Sequence, residues 1–146
     1  MYIFYKTMPH LEGNCDNDWL HLIEDWCFYT DDKPVWIPAG YEYDGASIPR
    51  IFWSIIGSPF QPRFQAAALA HDWIYLTHIY SRALADEVIY QLLIRSEVNT
   101  VKAHIIWAAV RSCGYFPYRN NEKDRAILNN LIQQIKCRPD GNKFLS

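Results

Sequence analysis

The feature that most constrains this chain is an apolar helical stretch with two ionisable residues at its centre. Residues 64–78 read Phe-Gln-Ala-Ala-Ala-Leu-Ala, then His71-Asp72, then Trp-Ile-Tyr-Leu-Thr-His. Pro62 stands near the start, where a helix tolerates it. The apolar run falls short of the ~18 residues a membrane span requires, so the stretch is expected in a protein core. A charge buried there costs several kcal/mol unless it is paired or bound to metal. The fold must therefore supply partners for His71 and Asp72.

The next segment offers one. Ser81 reads as an N-cap, and a second helix over 82–97 carries Leu84, Val88, Leu92 and Leu93 as an apolar stripe at three- and four-residue spacing. If the two helices form an antiparallel hairpin pivoting near Ile79, His71 lies eight positions before the pivot and Asp86 seven after it. The two then meet at one level, and Asp86 is placed to hydrogen-bond His71. Such a carboxylate fixes the imidazole tautomer and is expected to raise its pKa, which suits a general base. Tyr75, one turn after His71, either hydrogen-bonds Asp86 or packs against it. Asp72 points about 100° round the helix from His71, and the turn Asp44-Gly45-Ala46-Ser47 is its natural neighbour. Asp72, Asp44 and the backbone around Gly45 together would form an oxygen-rich site for a hard cation such as Ca²⁺ or Mg²⁺. Each of these features also has a purely structural reading: a polar contact that fixes helix register, a turn, a local cap.

Around this centre the chain divides by pattern. Residues 1–48 are β-rich: 19–29 alternates imperfectly, Asp31-Asp32-Lys33-Pro34 supplies a turn, and 35–38 and 41–43 look like short strands. Residues 49–137 turn helical, with a third helix opening at Asn99-Thr100 and running through Arg111, ended by Gly114 and Pro117, and a fourth from Asn120 or Asn121 to about Lys136. Residues 138–146 are expected to be a loose tail. The expectation is one α+β domain over 1–146, mostly helical, in which a small antiparallel β unit packs on about four helices.

Composition excludes several functions. A net charge of −2 with scattered basic residues gives no electrostatic footprint for nucleic acid. The four cysteines have no CxxC spacing, so free thiols are expected rather than a zinc site. The amino terminus meets Lys6, His10 and Glu12 too early for a signal peptide.

The string 38–50 (Pro-Ala-Gly-Tyr-Glu-Tyr-Asp-Gly-Ala-Ser-Ile-Pro-Arg), with Ala70-His71-Asp72-Trp73-Ile74-Tyr75, Ser81-Arg82, Ala85-Asp86 and Ala109-Val110-Arg111, resembles a family of uncharacterised proteins encoded by tailed phages and prophages, over about residues 20–115. The resemblance implies a phage or prophage accessory or virion-associated protein, located in the host bacterial cytoplasm or the virion. A second, local resemblance is to phospholipases A2, which carry a His-Asp-x-x-Tyr motif in mid-helix. It implies His71 as the base that activates water, Asp72 as a calcium ligand, Asp86 as the partner of the histidine, and the Asp44-Gly45 loop in the place of the calcium loop. The Gly/Cys-rich calcium loop and the paired-cysteine framework of those enzymes are absent.

Three functional expectations follow. The first is a metal-dependent hydrolase acting on an ester, a lipid or a cell-envelope component. In the second, His71 and Asp72 ligate a metal directly, as in phosphohydrolases with a helical His-Asp pair. The third is a non-enzymatic phage structural or host-interaction protein that uses the His-Asp pair only for folding.

Overall fold

The computed structural model describes residues 1–13, 19–31, 33–43, 54, 57, 61–113 and 122–144. Six strands come first: β1 (Ile3–Tyr5), β2 (Leu11–Gly13), β3 (Leu20–Leu22), β4 (Trp26–Thr30), β5 (Lys33–Ile37) and β6 (Glu42–Tyr43). Among the described residues four helices follow: α1 (Pro62–Thr77), α2 (Arg82–Arg95), α3 (Thr100–Cys113) and α4 (Glu122–Lys136), with a 3-10 turn at Gly141–Phe144. The architecture is α+β, as expected.

The β region is antiparallel and N-terminal, as predicted. It is two antiparallel three-stranded sheets, ordered β1-β4-β5 and β2-β3-β6. The imperfect alternation over 19–29 has its explanation here: Leu20–Leu22 pairs in one sheet, Trp26–Thr30 in the other, and the chain crosses between them. In β4 the burial alternates strictly, with Trp26, Phe28 and Thr30 buried between half-exposed Cys27 and Tyr29, the period of a strand with one face on the core.

Helix α1 lies at the centre of the molecule. Its Ala66–Ala70 run and Trp73 and Ile74 are all at most 2% exposed, and a helix apolar on every side must be covered on every side. Pro62 opens it, and His78 closes it in the left-handed conformation (φ 53°), donating its N–H to the Ile74 carbonyl at 2.8 Å. Ser81 then caps α2 as read from the sequence, accepting from the Leu84 N–H at 3.3 Å. The β1-β4-β5 sheet is pinned to this hairpin by Thr30 to Tyr80 (2.8 Å) and Tyr5 to Ser96 (2.8 Å).

The stretch predicted to be a loose tail is docked over 138–144. Phe144 is buried, and Arg138 and Lys143 both bond Asp25. Gly141 permits the approach: a Cβ there would collide with the Ile135 carbonyl oxygen at the end of α4. Polar residues and Pro139 give this segment a loop-like composition, and what holds it is distant in sequence: the charge of Asp25, the Trp36 ring under Lys143 and the burial of Phe144.

Candidate functional site

The helical hairpin brings His71 and Asp86 together. His71 Nε2 lies 3.2 Å from Asp86 Oδ1, and the Tyr75 hydroxyl donates to the same oxygen at 2.6 Å. Eight and seven residues from the turn are heights that differ by only one residue's rise, about 1.5 Å, on two antiparallel helices, so the spacing brings the two side chains to nearly one level. The imidazole and the Tyr75 ring sit with centroids 4.0 Å apart. Of Tyr75's two sequence readings, the hydrogen bond is the one that forms.

The sequence reading missed the other half of Asp86's surroundings. Arg111, from α3, donates to Asp86 Oδ2 at 3.1 Å, and Arg82 approaches the same oxygen at 3.7 Å while bonding the Arg111 carbonyl at 2.8 Å. Asp86 is fully buried and thereby ties three helices to one carboxylate. The available signal for Arg82 was its i,i+4 spacing to Asp86. Arg111 stood only in the string that carries the family resemblance, with nothing to link it to Asp86, because nothing local sets how α3 lies against α2.

The electrostatics correct one expectation. Burial alone would raise Asp86, but hydrogen bonds from His71, Tyr75 and Arg111 outweigh it and hold the carboxyl below its usual range. For His71 the balance runs the other way. Burial disfavours the imidazolium more than the bond and charge of Asp86 favour it, so its pKa is lowered rather than raised. Two consequences follow. An ionised Asp86 can only accept, so His71 Nε2 carries the proton and donates it. The neutral ring then leaves Nδ1 with its lone pair, in the base form at neutral pH. Burial and the Asp86 bond together also keep the Tyr75 hydroxyl protonated, well above its usual pKa.

Asp72 faces the β region. It accepts a short hydrogen bond from the Tyr41 hydroxyl, and Tyr41 stands edge-on to Trp73 with centroids 5.1 Å apart. Tyr43, two residues on and 1% exposed, has a hydroxyl with no hydrogen-bond partner among the described residues. Burial, and after it the charge of Asp72, hold that hydroxyl well above its usual pKa. The predicted metal residues Asp44 and Gly45 lie outside the described residues, as do Ser47, Arg50, Trp53 and Phe60. Among the described residues, no group of three or more His, Cys, Asp or Glu side chains is arranged to hold a metal.

Two further histidines lie away from this centre. His78 is the exposed cap of α1, and His104 contacts Tyr90 on the outer side of the α2–α3 pair. Cys27, Cys113 and Cys137 are free thiols. Among the described residues no helix is long and apolar enough to cross a membrane.

Known proteins add kinship. The chain is 29% identical over 119 residues to "Uncharacterized protein y4jT" of Sinorhizobium fredii (strain NBRC 101917 / NGR234), an alignment covering 81% of this chain and 33% of the relative. It is 32% identical over 71 residues to "Uncharacterized protein y4iH" of the same organism, covering 49% of this chain and 30% of the relative. The chain therefore spans about a third of the length of the curated relatives it matches. No solved structure matches it. The family model described as "Protein of unknown function (DUF1353)" matches residues 20–110, which include both sheets' central strands, His71, Asp72, Tyr75 and Asp86, and the chain belongs to that family.

Proposed function

We propose that this domain hydrolyses an ester, with His71 as general base and Asp86 as the group that holds it. One observation carries the reading: His71 Nε2 lies 3.2 Å from a fully buried aspartate, and burial, which lowers the histidine's pKa, favours the neutral imidazole. That arrangement sets the tautomer and leaves Nδ1 as the basic atom, the task a water-activating histidine performs. In the step envisaged, Nδ1 takes a proton from water while the water oxygen bonds the ester carbonyl carbon. The tetrahedral intermediate expels the alcohol oxygen, which recovers the proton from Nδ1. Ester and water become acid and alcohol, and the enzyme returns to its starting state. Asp86 stabilises the transient imidazolium, and Tyr75 and Arg111 keep Asp86 ionised and in place.

A divalent cation, Ca²⁺ on the phospholipase A2 resemblance, belongs to the same proposal. Asp72 would hold it with Asp44 and the backbone near Gly45, and the buried Tyr43 oxygen, which has no partner among the described residues and feels the charge of Asp72, suits such an oxygen-rich setting. Bound there, a cation would polarise the carbonyl and stabilise the oxyanion. The substrate class is a lipid or envelope ester, and the phage or prophage setting rests on sequence resemblance alone.

The test uses the purified chain with phospholipid vesicles and soluble aryl esters, in Ca²⁺, Mg²⁺, Mn²⁺ or Zn²⁺. Turnover should fall by about 10²–10⁴ in His71→Asn, and Asp72→Asn should remove the cation dependence. If no ester, phosphoester or amide is cleaved under any of these conditions, the hydrolase reading fails.

One observation favours a second reading, a non-enzymatic phage structural or host-interaction protein. Asp86 bonds α3 through Arg111 as well as His71, so the centre also serves as a three-helix fastener. On that reading His71→Asn costs roughly 1–3 kcal/mol of stability and alters no chemistry.

A further inference from the structure

Away from the His71 centre, a groove of about 740 Å³ opens between the second sheet and α4. Its volume lies in the range of sites for organic ligands and far exceeds the needs of one ion. We propose that this groove binds a neutral saccharide.

The walls supply the chemistry. Asn130 and Gln134 line it from α4, and four-residue spacing places them on one helix face. Each carries a donor and an acceptor in one planar group, the pairing that a hydroxyl, itself donor and acceptor, satisfies best. Glu42 and His21 line the opposite wall as register partners on β6 and β3. They add a carboxylate acceptor and a ring nitrogen, and His21 lies 3.6 Å from Glu12. Trp19 stands in the lining and is 43% exposed. An indole left that open offers a flat apolar surface for the C–H face of a sugar ring, with a polar tip at its edge. Gly40 keeps the floor clear: its φ of 84° demands glycine, and a Cβ there would meet nothing within 4 Å.

The same residues argue against other ligand classes. Among the described lining residues there is no Lys or Arg, and Glu42 is negative, so a phosphate or carboxylate ligand finds no counter-charge. An organic cation would gain from Trp19 and Glu42 but nothing from the donor half of two amides in a row. The site does not depend on whether His71 acts as a base.

Isothermal titration of the full chain decides it, with cellotriose, N-acetylglucosamine trisaccharide, inorganic phosphate and tetramethylammonium as probes. One or both sugars should bind, and Trp19→Ala, Asn130→Ala and Gln134→Ala should each weaken that binding about tenfold, the 1.4 kcal/mol scale of one lost polar contact. Thermal unfolding of the two α4 variants should be unchanged, because Asn130 and Gln134 are exposed; this keeps the test decisive if Trp19→Ala folds poorly. The proposal is overturned if neither sugar binds at millimolar concentration, if phosphate or tetramethylammonium binds instead, or if binding is indifferent to all three substitutions.

Discussion

The helical hairpin and the C-terminal clamp each gather donors on one aspartate, and they do so in opposite settings. Asp86 is fully buried and receives His71, Tyr75 and Arg111. Asp25, with 18% of its side chain exposed, receives the Ala39 N–H at 2.9 Å, both Nη atoms of Arg138 at 2.9 and 2.6 Å, and Lys143 at 3.0 Å. The geometry at Asp25 is the better formed, yet the energetic weight falls on Asp86. Near water a lost partner is replaced by solvent. In the core, removing one side of a charged network leaves the other side stranded. The difference teaches that a count of contacts on a carboxylate says little about stability until burial is known.

The comparison is broken most directly by deleting each aspartate. Asp86→Ala should cost about 3–5 kcal/mol, the scale of an orphaned buried charge pair, read by urea unfolding. A loss below 1 kcal/mol would mean that Arg111 and His71 find water after all. Tyr75→Phe removes one charge-assisted bond at 2.6 Å and should cost about 1.5–3 kcal/mol while leaving the helical circular-dichroism signal intact.

Stability against pH separates the two regions further. His71 has a folded pKa below its unfolded value of ~6.5, so the unfolded chain binds the proton more readily. Its contribution is complete above about pH 6.5 and is lost as pH falls toward the folded pKa, with a slope of up to about 1.4 kcal/mol per pH unit. His71→Gln should flatten that limb. If wild type and variant lose stability in parallel there, the buried neutral imidazole is wrong. At Asp25, burial would raise the pKa, but the bonds from Arg138, Ala39 and Lys143 win and lower it. This contribution is therefore complete above about pH 4 and lost only in stronger acid. The acid limb includes Asp86 as well, so comparing wild type with Asp25→Asn isolates the clamp.

The smallest effect belongs to the clamp's cations. Arg138→Ala should cost roughly 1 kcal/mol or less, reduced further by salt, because its side chain is 33% exposed. The same variant should release the last segment to proteolysis before the helices unfold. A cost as large as that of Asp86→Ala would erase the contrast between the regions.

Much of the helical half was legible from residue spacing. The His71–Asp86 meeting, the Ser81 cap and the helix ends at 77–82 follow from local rules: rise per residue, capping chemistry and an apolar stripe. The β half was legible only as strand-like. Its division into two sheets turns on which short strand pairs with which, and three-residue strands such as Ile3–Tyr5 and Leu11–Gly13 carry too few residues to show a period.

By itself, then, the amino-acid order determined an α+β chain with a buried His71-Asp72 helix and an aspartate opposite the histidine, because those features arise within a few turns of chain. Tertiary structure alone decided that Arg111 shares Asp86, that Asp25 captures a tail 113 residues away, and that burial lowers the His71 pKa against its carboxylate partner. Those outcomes depend on which distant surfaces exclude water together, and no local pattern encodes that.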